Sequence, residues 1–133
     1  MSGHHTGSCL CGAVRFRIEG EFERFYLCHC SHCRKDTGSA HAANLFSATA
    51  RVQWLTGGDK VTTYTLPATR HARCFCPICG SALPHAAGPF LAVPAGSLDS
   101  DVRRRPDAHI FVASRASWDK ALEDIPAHET FPA

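Results

Sequence analysis

Apolar and polar residues alternate along much of this chain in short runs, and the repeat is that of a strand. In Ala13-Val14-Arg15-Phe16-Arg17-Ile18, Val14, Phe16 and Ile18 share one face while Arg15 and Arg17 share the other, as in a half-buried strand. Phe25-Tyr26-Leu27 and residues 41–46, 52–55, 61–66, 71–75, 90–94 and 109–113 read as further strands, with Gly57-Gly58-Asp59 as a turn between two of them. One short helix is expected over 31–37, with Ser31 as its N-cap and Gly38 as its stop. Many short strands broken by turn residues predict a mainly β fold, a sandwich or barrel-like arrangement. The segment from Glu123 onward is acidic and holds two prolines, so it is expected to lie loosely over the surface.

Length and composition narrow this only a little. A chain of 133 residues fits one domain, expected to span 1–133 with an ordered core from about 7 to 122. Such a domain buries enough apolar surface to fold without covalent staples. Fourteen Lys and Arg against 12 Asp and Glu leave a net charge of +2, which argues against a nucleic-acid binder with a broad basic face. The one basic run, Arg103-Arg104-Arg105, reads as a solvated loop. No stretch approaches the roughly 18 apolar residues of a membrane span, and the first residues lack the basic start and apolar run of a signal peptide. His4 and His5 are expected in a frayed end. A cytoplasmic, reducing location is therefore expected, where cysteines are thiols or metal ligands.

The cysteines change the picture most. Eight fall into three clusters: Cys9-Leu10-Cys11, Cys28-His29-Cys30-Ser31-His32-Cys33, and Cys74-Phe75-Cys76-Pro77-Ile78-Cys79. The Cys76-Pro77-Ile78-Cys79-Gly80 segment has the form of a zinc knuckle: Pro77 fixes a turn angle and Gly80 permits a positive φ, so both sulfurs face one ion. A closed zinc site needs four ligands. The second pair can come from Cys9 and Cys11, which would face one side of a strand, or from two of the middle three. If Cys9 and Cys11 complete the first site, Cys28, Cys30 and Cys33 remain as a three-thiolate site with an open position, the ligand count of a catalytic zinc. Cys74 is left over, as a buried thiol or as a further ligand or redox-sensitive thiol beside the open site.

Taken together, Gly7-Ser8-Cys9-Leu10-Cys11-Gly12, Cys28-His29-Cys30-Ser31-His32-Cys33-Arg34 with Gly38-Ser39, Phe75-Cys76-Pro77-Ile78-Cys79-Gly80-Ser81, and His109-Ile110-Phe111-Val112 with Ser117-Trp118 resemble the glutathione-dependent formaldehyde-activating enzyme family. The resemblance runs from about Gly7 to the C-terminus. It implies an Mss4-like domain of zinc-stabilised twisted β-sheets with short helical turns. It implies a structural zinc on Cys9, Cys11, Cys76 and Cys79 and a second zinc on Cys28, Cys30 and Cys33, the latter three being the catalytic candidates. Cys74 lies outside the family pattern.

A three-thiolate zinc with an open position favours thiol chemistry: it lowers the pKa of a bound thiol, which then adds to a small carbonyl. The expected activity is carbon–sulfur lyase-type, joining a thiol such as glutathione to formaldehyde or a related small aldehyde as an S-hydroxymethyl adduct. Arg34, Lys35, Ser39 and Asn44 are candidate substrate contacts, and His29, His32 and His41 candidate proton carriers. His71 and His85 read as surface or satisfied core residues, and Trp54 and Trp118 as core or rim. The competing reading is a zinc-stabilised binding or scaffold module whose second site is closed by Cys74 or a histidine.

Overall fold

The computed structural model describes residues 3–132. Eleven strands form three twisted sheets among these residues, with a single α-helix, so the chain is mainly β. The first sheet joins β1 (His4–Ser8), β2 (Arg15–Glu19) and β5 (Arg51–Thr56), antiparallel throughout. The second has five strands in the order β11-β3-β4-β10-β9: β3 (Arg24–Cys28), β4 (Ala42–Ser47), β9 (His85–Ala87), β10 (Phe90–Pro94) and β11 (Ala108–Ile110). Only β11 runs parallel to its neighbour, β3. The third sheet joins β6 (Thr62–Thr65), β7 (Ala72–Phe75) and β8 (Ala82–Leu83). The helix α1 (Ser31–Thr37) links β3 to β4.

The core follows from the alternation. On β2, Phe16 and Ile18 are fully buried while Arg15 and Glu19 are exposed. They pack with Val14, Phe25, Leu45, Leu83 and Val93, and the same cluster takes in Cys9, Cys74 and Cys76. Trp54 meets Phe16 edge-to-face, with ring centroids 5.8 Å apart. A separate, smaller cluster holds Cys28, Cys33 and Ala42 against Cys30 and Ile110. The two cysteine-rich regions thus belong to different packing units. Removing the Phe16 ring would leave a cavity no neighbour can fill without moving the sheet. Phe16→Ala is expected to cost about 3–5 kcal/mol, read as a lowered urea midpoint.

Several expectations need correction. His4 and His5 do not fray: both lie in β1, paired with Glu19 and Ile18 of β2. This strand escapes a pattern search because His-His-Thr-Gly-Ser has no apolar alternation; its partner β2 holds it. Cys9 and Cys11 do not lie in a strand but in the turn between β1 and β2, and β2 starts at Arg15. The turn is closed by the Gly12 amide on the Cys9 carbonyl and the Cys9 amide on the Val14 carbonyl. The helix has the expected bounds, but its N-cap is Cys30 and not Ser31. The run 109–113 gives only a three-residue strand, since Phe111 takes a left-handed backbone and a 3-10 turn follows. Arg104 is not merely solvated: its guanidinium donates to the Phe22 and Glu23 carbonyls and to Asp107, tying the approach to β11 onto the start of β3. Trp118 is not a core residue: it is 61% exposed and lines a pocket beside α1.

Candidate metal and thiol site

Two turns of the same design face each other at one end of the core. In the turn after β7, the Gly80 amide donates to the Cys76 carbonyl and the Cys76 amide to the Ser81 carbonyl. This repeats the pattern of the Cys9–Val14 turn. Gly80 and Gly12 both have positive φ, 77° and 80°, and nothing lies within 4 Å of where a Cβ would stand. Glycine is therefore needed at both places for backbone conformation and not for space. The turns bring Cys9, Cys11, Cys76 and Cys79 together with all four sulfurs within 4.8 Å of one another. Cys9 and Cys11 Sγ are 3.6 Å apart, and Cys11 and Cys76 Sγ 3.9 Å.

Backbone and hydroxyl donors surround these sulfurs. The Val14 amide donates to Cys9 Sγ at 3.2 Å. Ser81 Oγ accepts from the Leu10 amide at 2.9 Å and lies 3.2 Å from Cys79 Sγ. Hydrogen bonds from the Ser81 hydroxyl and amide, and from the Cys11 amide, hold the Cys79 thiol down at about 5. Ser81 thus couples the two turns, since it touches both Leu10 and Cys79.

The second group is built on one connection. Cys28 ends β3, Cys30 caps α1 and Cys33 stands in its first turn. The Cys33 amide donates to Cys30 Sγ at 3.3 Å. The three sulfurs also lie within 4.8 Å of one another. Burial and the neighbouring thiols push Cys33 up, and burial raises Cys28. Cys30 is lowered: burial opposes this, but the Cys33 amide and the two flanking thiols outweigh it. Both groups can hold a metal ion.

Among the described residues no fourth His, Cys, Asp or Glu completes the second group. Cys74 joins neither group: it is buried in the third sheet, with the Thr63 hydroxyl 3.2 Å from its sulfur. It belongs to the main core and also lines the cleft that Cys33 lines.

Cys33 lines a cleft of about 360 Å³ between α1, β4 and β7, shared with Asp36, His41, Asn44 and His71. The candidate substrate contacts are divided by this geometry. Asn44 faces the cleft, whereas Arg34, Lys35 and Ser39 line a shallow pocket on the other side of α1 beside Trp118. Arg34 also donates to the Ser114 carbonyl. The candidate proton carriers divide too. His29 is fully buried, its Nε2 2.8 Å from His109 Nδ1 and its Nδ1 3.2 Å from Asp119. His32 is exposed, with its ring 5.2 Å from that of His71.

His71 is the residue that sequence reasoning undervalued. It is neither a plain surface group nor a core one: its Nε2 is 2.5 Å from Asp36 Oδ2, and both side chains are 22% exposed. The two are 35 residues apart in sequence, so no local motif joins them.

The fold and the two cysteine groups define a mainly β protein with two all-thiol candidate metal centres, one of them beside a cleft. Comparison with known proteins agrees. The family model described as "Glutathione-dependent formaldehyde-activating enzyme" matches residues 4–114, and the chain belongs to that family. It is 34% identical over 128 aligned residues to a Halomonas elongata protein named "Putative glutathione-dependent formaldehyde-activating enzyme", covering 84% of this chain and 77% of that one. The crystal structure of a Rhodobacter sphaeroides protein shares the fold with a TM-score of 0.55 and 24% identity, covering 78% of this chain and 98% of that one. No helix among the described residues is long and apolar enough to cross a membrane.

Proposed function

We propose that this chain is a zinc-dependent enzyme of carbon–sulfur lyase type, which adds glutathione or a similar small thiol to formaldehyde or a related aldehyde. The product is the S-hydroxymethyl adduct, and the reverse step cleaves the same carbon–sulfur bond. On this reading Cys9, Cys11, Cys76 and Cys79 hold a structural zinc, and Cys28, Cys30 and Cys33 hold a second. The donor sets fit that metal: tetrahedral bonds of about 2.3 Å put sulfurs roughly 3.8 Å apart, near the 3.6 and 3.9 Å separations of the first group. Soft thiolates also select zinc over magnesium or calcium.

The observation that carries the proposal is the second group: three converging thiols, no fourth protein donor among the described residues, and Cys33 on the wall of a cleft. Zinc bound there would supply an open position at which a substrate thiol ionises at neutral pH. The chain's own part is to fix the three sulfurs through the cap of α1, to lower the Cys30 thiol with the Cys33 amide, and to offer Asn44 as a polar contact in the cleft. Membership of the family supports glutathione and formaldehyde as the substrate pair. A reducing compartment such as the cytoplasm suits a site made of thiols.

Exchange between free glutathione and its formaldehyde adduct, followed by exchange NMR, tests the activity against the spontaneous rate. Faster exchange with protein present is expected; an unchanged rate would contradict the proposal and favour a zinc-stabilised scaffold. A second expectation concerns the structural centre. Ser81→Ala removes the hydroxyl between Leu10 and Cys79, so metal affinity there should fall about 10–100-fold, measured by competition with a chromophoric chelator.

A further inference from the structure

The cleft beside the second cysteine group contains a carboxylate–imidazole pair. Asp36 stands three residues beyond Cys33 on α1, a spacing that sets both side chains on one side of the helix. His71 precedes β7 and forms part of the facing wall. Asp36 Oδ2 and His71 Nε2 are 2.5 Å apart. An ionised carboxylate only accepts hydrogen bonds, so it fixes the hydrogen of the neutral ring on Nε2. The lone pair is then on Nδ1; among the described residues the His71 ring hydrogen-bonds only through Nε2, to Asp36, while its backbone amide donates to Thr69. An imidazole with one nitrogen held by a carboxylate and the other available is arranged as a general base.

The geometry points to His71, positioned by Asp36, as the group that moves the proton when a thiol adds to a carbonyl in this cleft. This rests on the activity proposed above. As the sulfur–carbon bond forms, the carbonyl π pair moves onto oxygen. The proton lost by sulfur is taken up at Nδ1 and returned to that oxygen, so the ring ends as it began and no co-reactant is consumed. In the reverse direction Nδ1 takes the hydroxyl proton while the carbon–sulfur bond breaks, and the proton goes back to sulfur. The other histidines are less suited. His29 is buried against His109 and Asp119, His32 is exposed with no carboxylate partner, and His41 and His85, which share the cleft with Nδ1 unpartnered, have no carboxylate hydrogen-bonded to them among the described residues.

The test uses the full-length metal-loaded protein with glutathione and formaldehyde. His71→Ala should lower kcat about 100-fold, leave KM for glutathione within about twofold, and regain rate when imidazole is added. Asp36→Asn preserves side-chain volume and should lower kcat with the same unchanged KM. Nitrogen-15 spectra should show His71 as the Nε2–H tautomer in the wild type and as mixed tautomers in Asp36→Asn, a readout that needs no turnover. Wild-type kcat in His71→Ala, or a loss that imidazole does not restore, would overturn the assignment of His71. So would an unaltered tautomer in Asp36→Asn, for the positioning role. A wild-type protein that leaves exchange at the spontaneous rate would instead remove the activity on which the inference rests.

Discussion

Cys76→Ser is expected to unfold the chain or to lower its melting temperature by tens of degrees. Cys76 is fully buried, belongs to the main core, and pins the turn after β7 against the turn after β1. A structural zinc contributes on the order of 10 kcal/mol to folding, comparable with the whole stability of a domain, about 5–15 kcal/mol. Losing one of four thiolates forfeits much of that and leaves three sulfurs clustered at the edge of the core without a cation. Far-ultraviolet circular dichroism with heating measures the effect. A chelator strong enough to strip the wild-type protein should reproduce it. A mutant that melts with the wild type would mean that the four sulfurs hold no structural ion.

Cys30→Ser is expected to do the opposite: to keep the fold and abolish the chemistry. Its sulfur accepts the Cys33 amide as the cap of α1, and a serine hydroxyl caps a helix at least as well. The group it belongs to forms a small cluster apart from the main core. The melting temperature should therefore shift by only a few degrees. The acceleration of glutathione–formaldehyde exchange should disappear, since two thiolates do not make a stable zinc site. Retained acceleration in Cys30→Ser would separate the activity from this group altogether.

The strands were legible wherever one face is buried and the other wet. Phe16 and Ile18 against Arg15 and Arg17 announce β2, and 90–94 coincides with β10. The helix was legible from its stop and its length. Strands held only by their neighbours were not. His4–Ser8 carries no apolar face, and Ala82–Leu83 is too short to show a period. Cysteine spacing marked the seven thiols that the fold gathers into two groups, because short turns make sulfurs converge whatever the rest of the chain does. It also marked the wrong local structure for Cys9 and Cys11, since a strand and a knuckle turn both place i and i+2 on one side. What spacing could not reveal was any partnership across the fold. Asp36 with His71, His29 with His109, and Ser81 with Leu10 are 35, 80 and 71 residues apart. Each exists only because sheet topology brings remote segments together, and no single segment carries its signature.

The proposed function divides the labour between a closed structural zinc and an open functional one. Zinc per chain, measured on freshly reduced wild-type protein and on Cys30→Ser, tests it most directly. Two zinc ions are expected in the wild type and one in Cys30→Ser with the fold intact. One zinc in both proteins would contradict this division, because the middle cysteines would then hold no metal and the cleft beside them no metal-assisted chemistry.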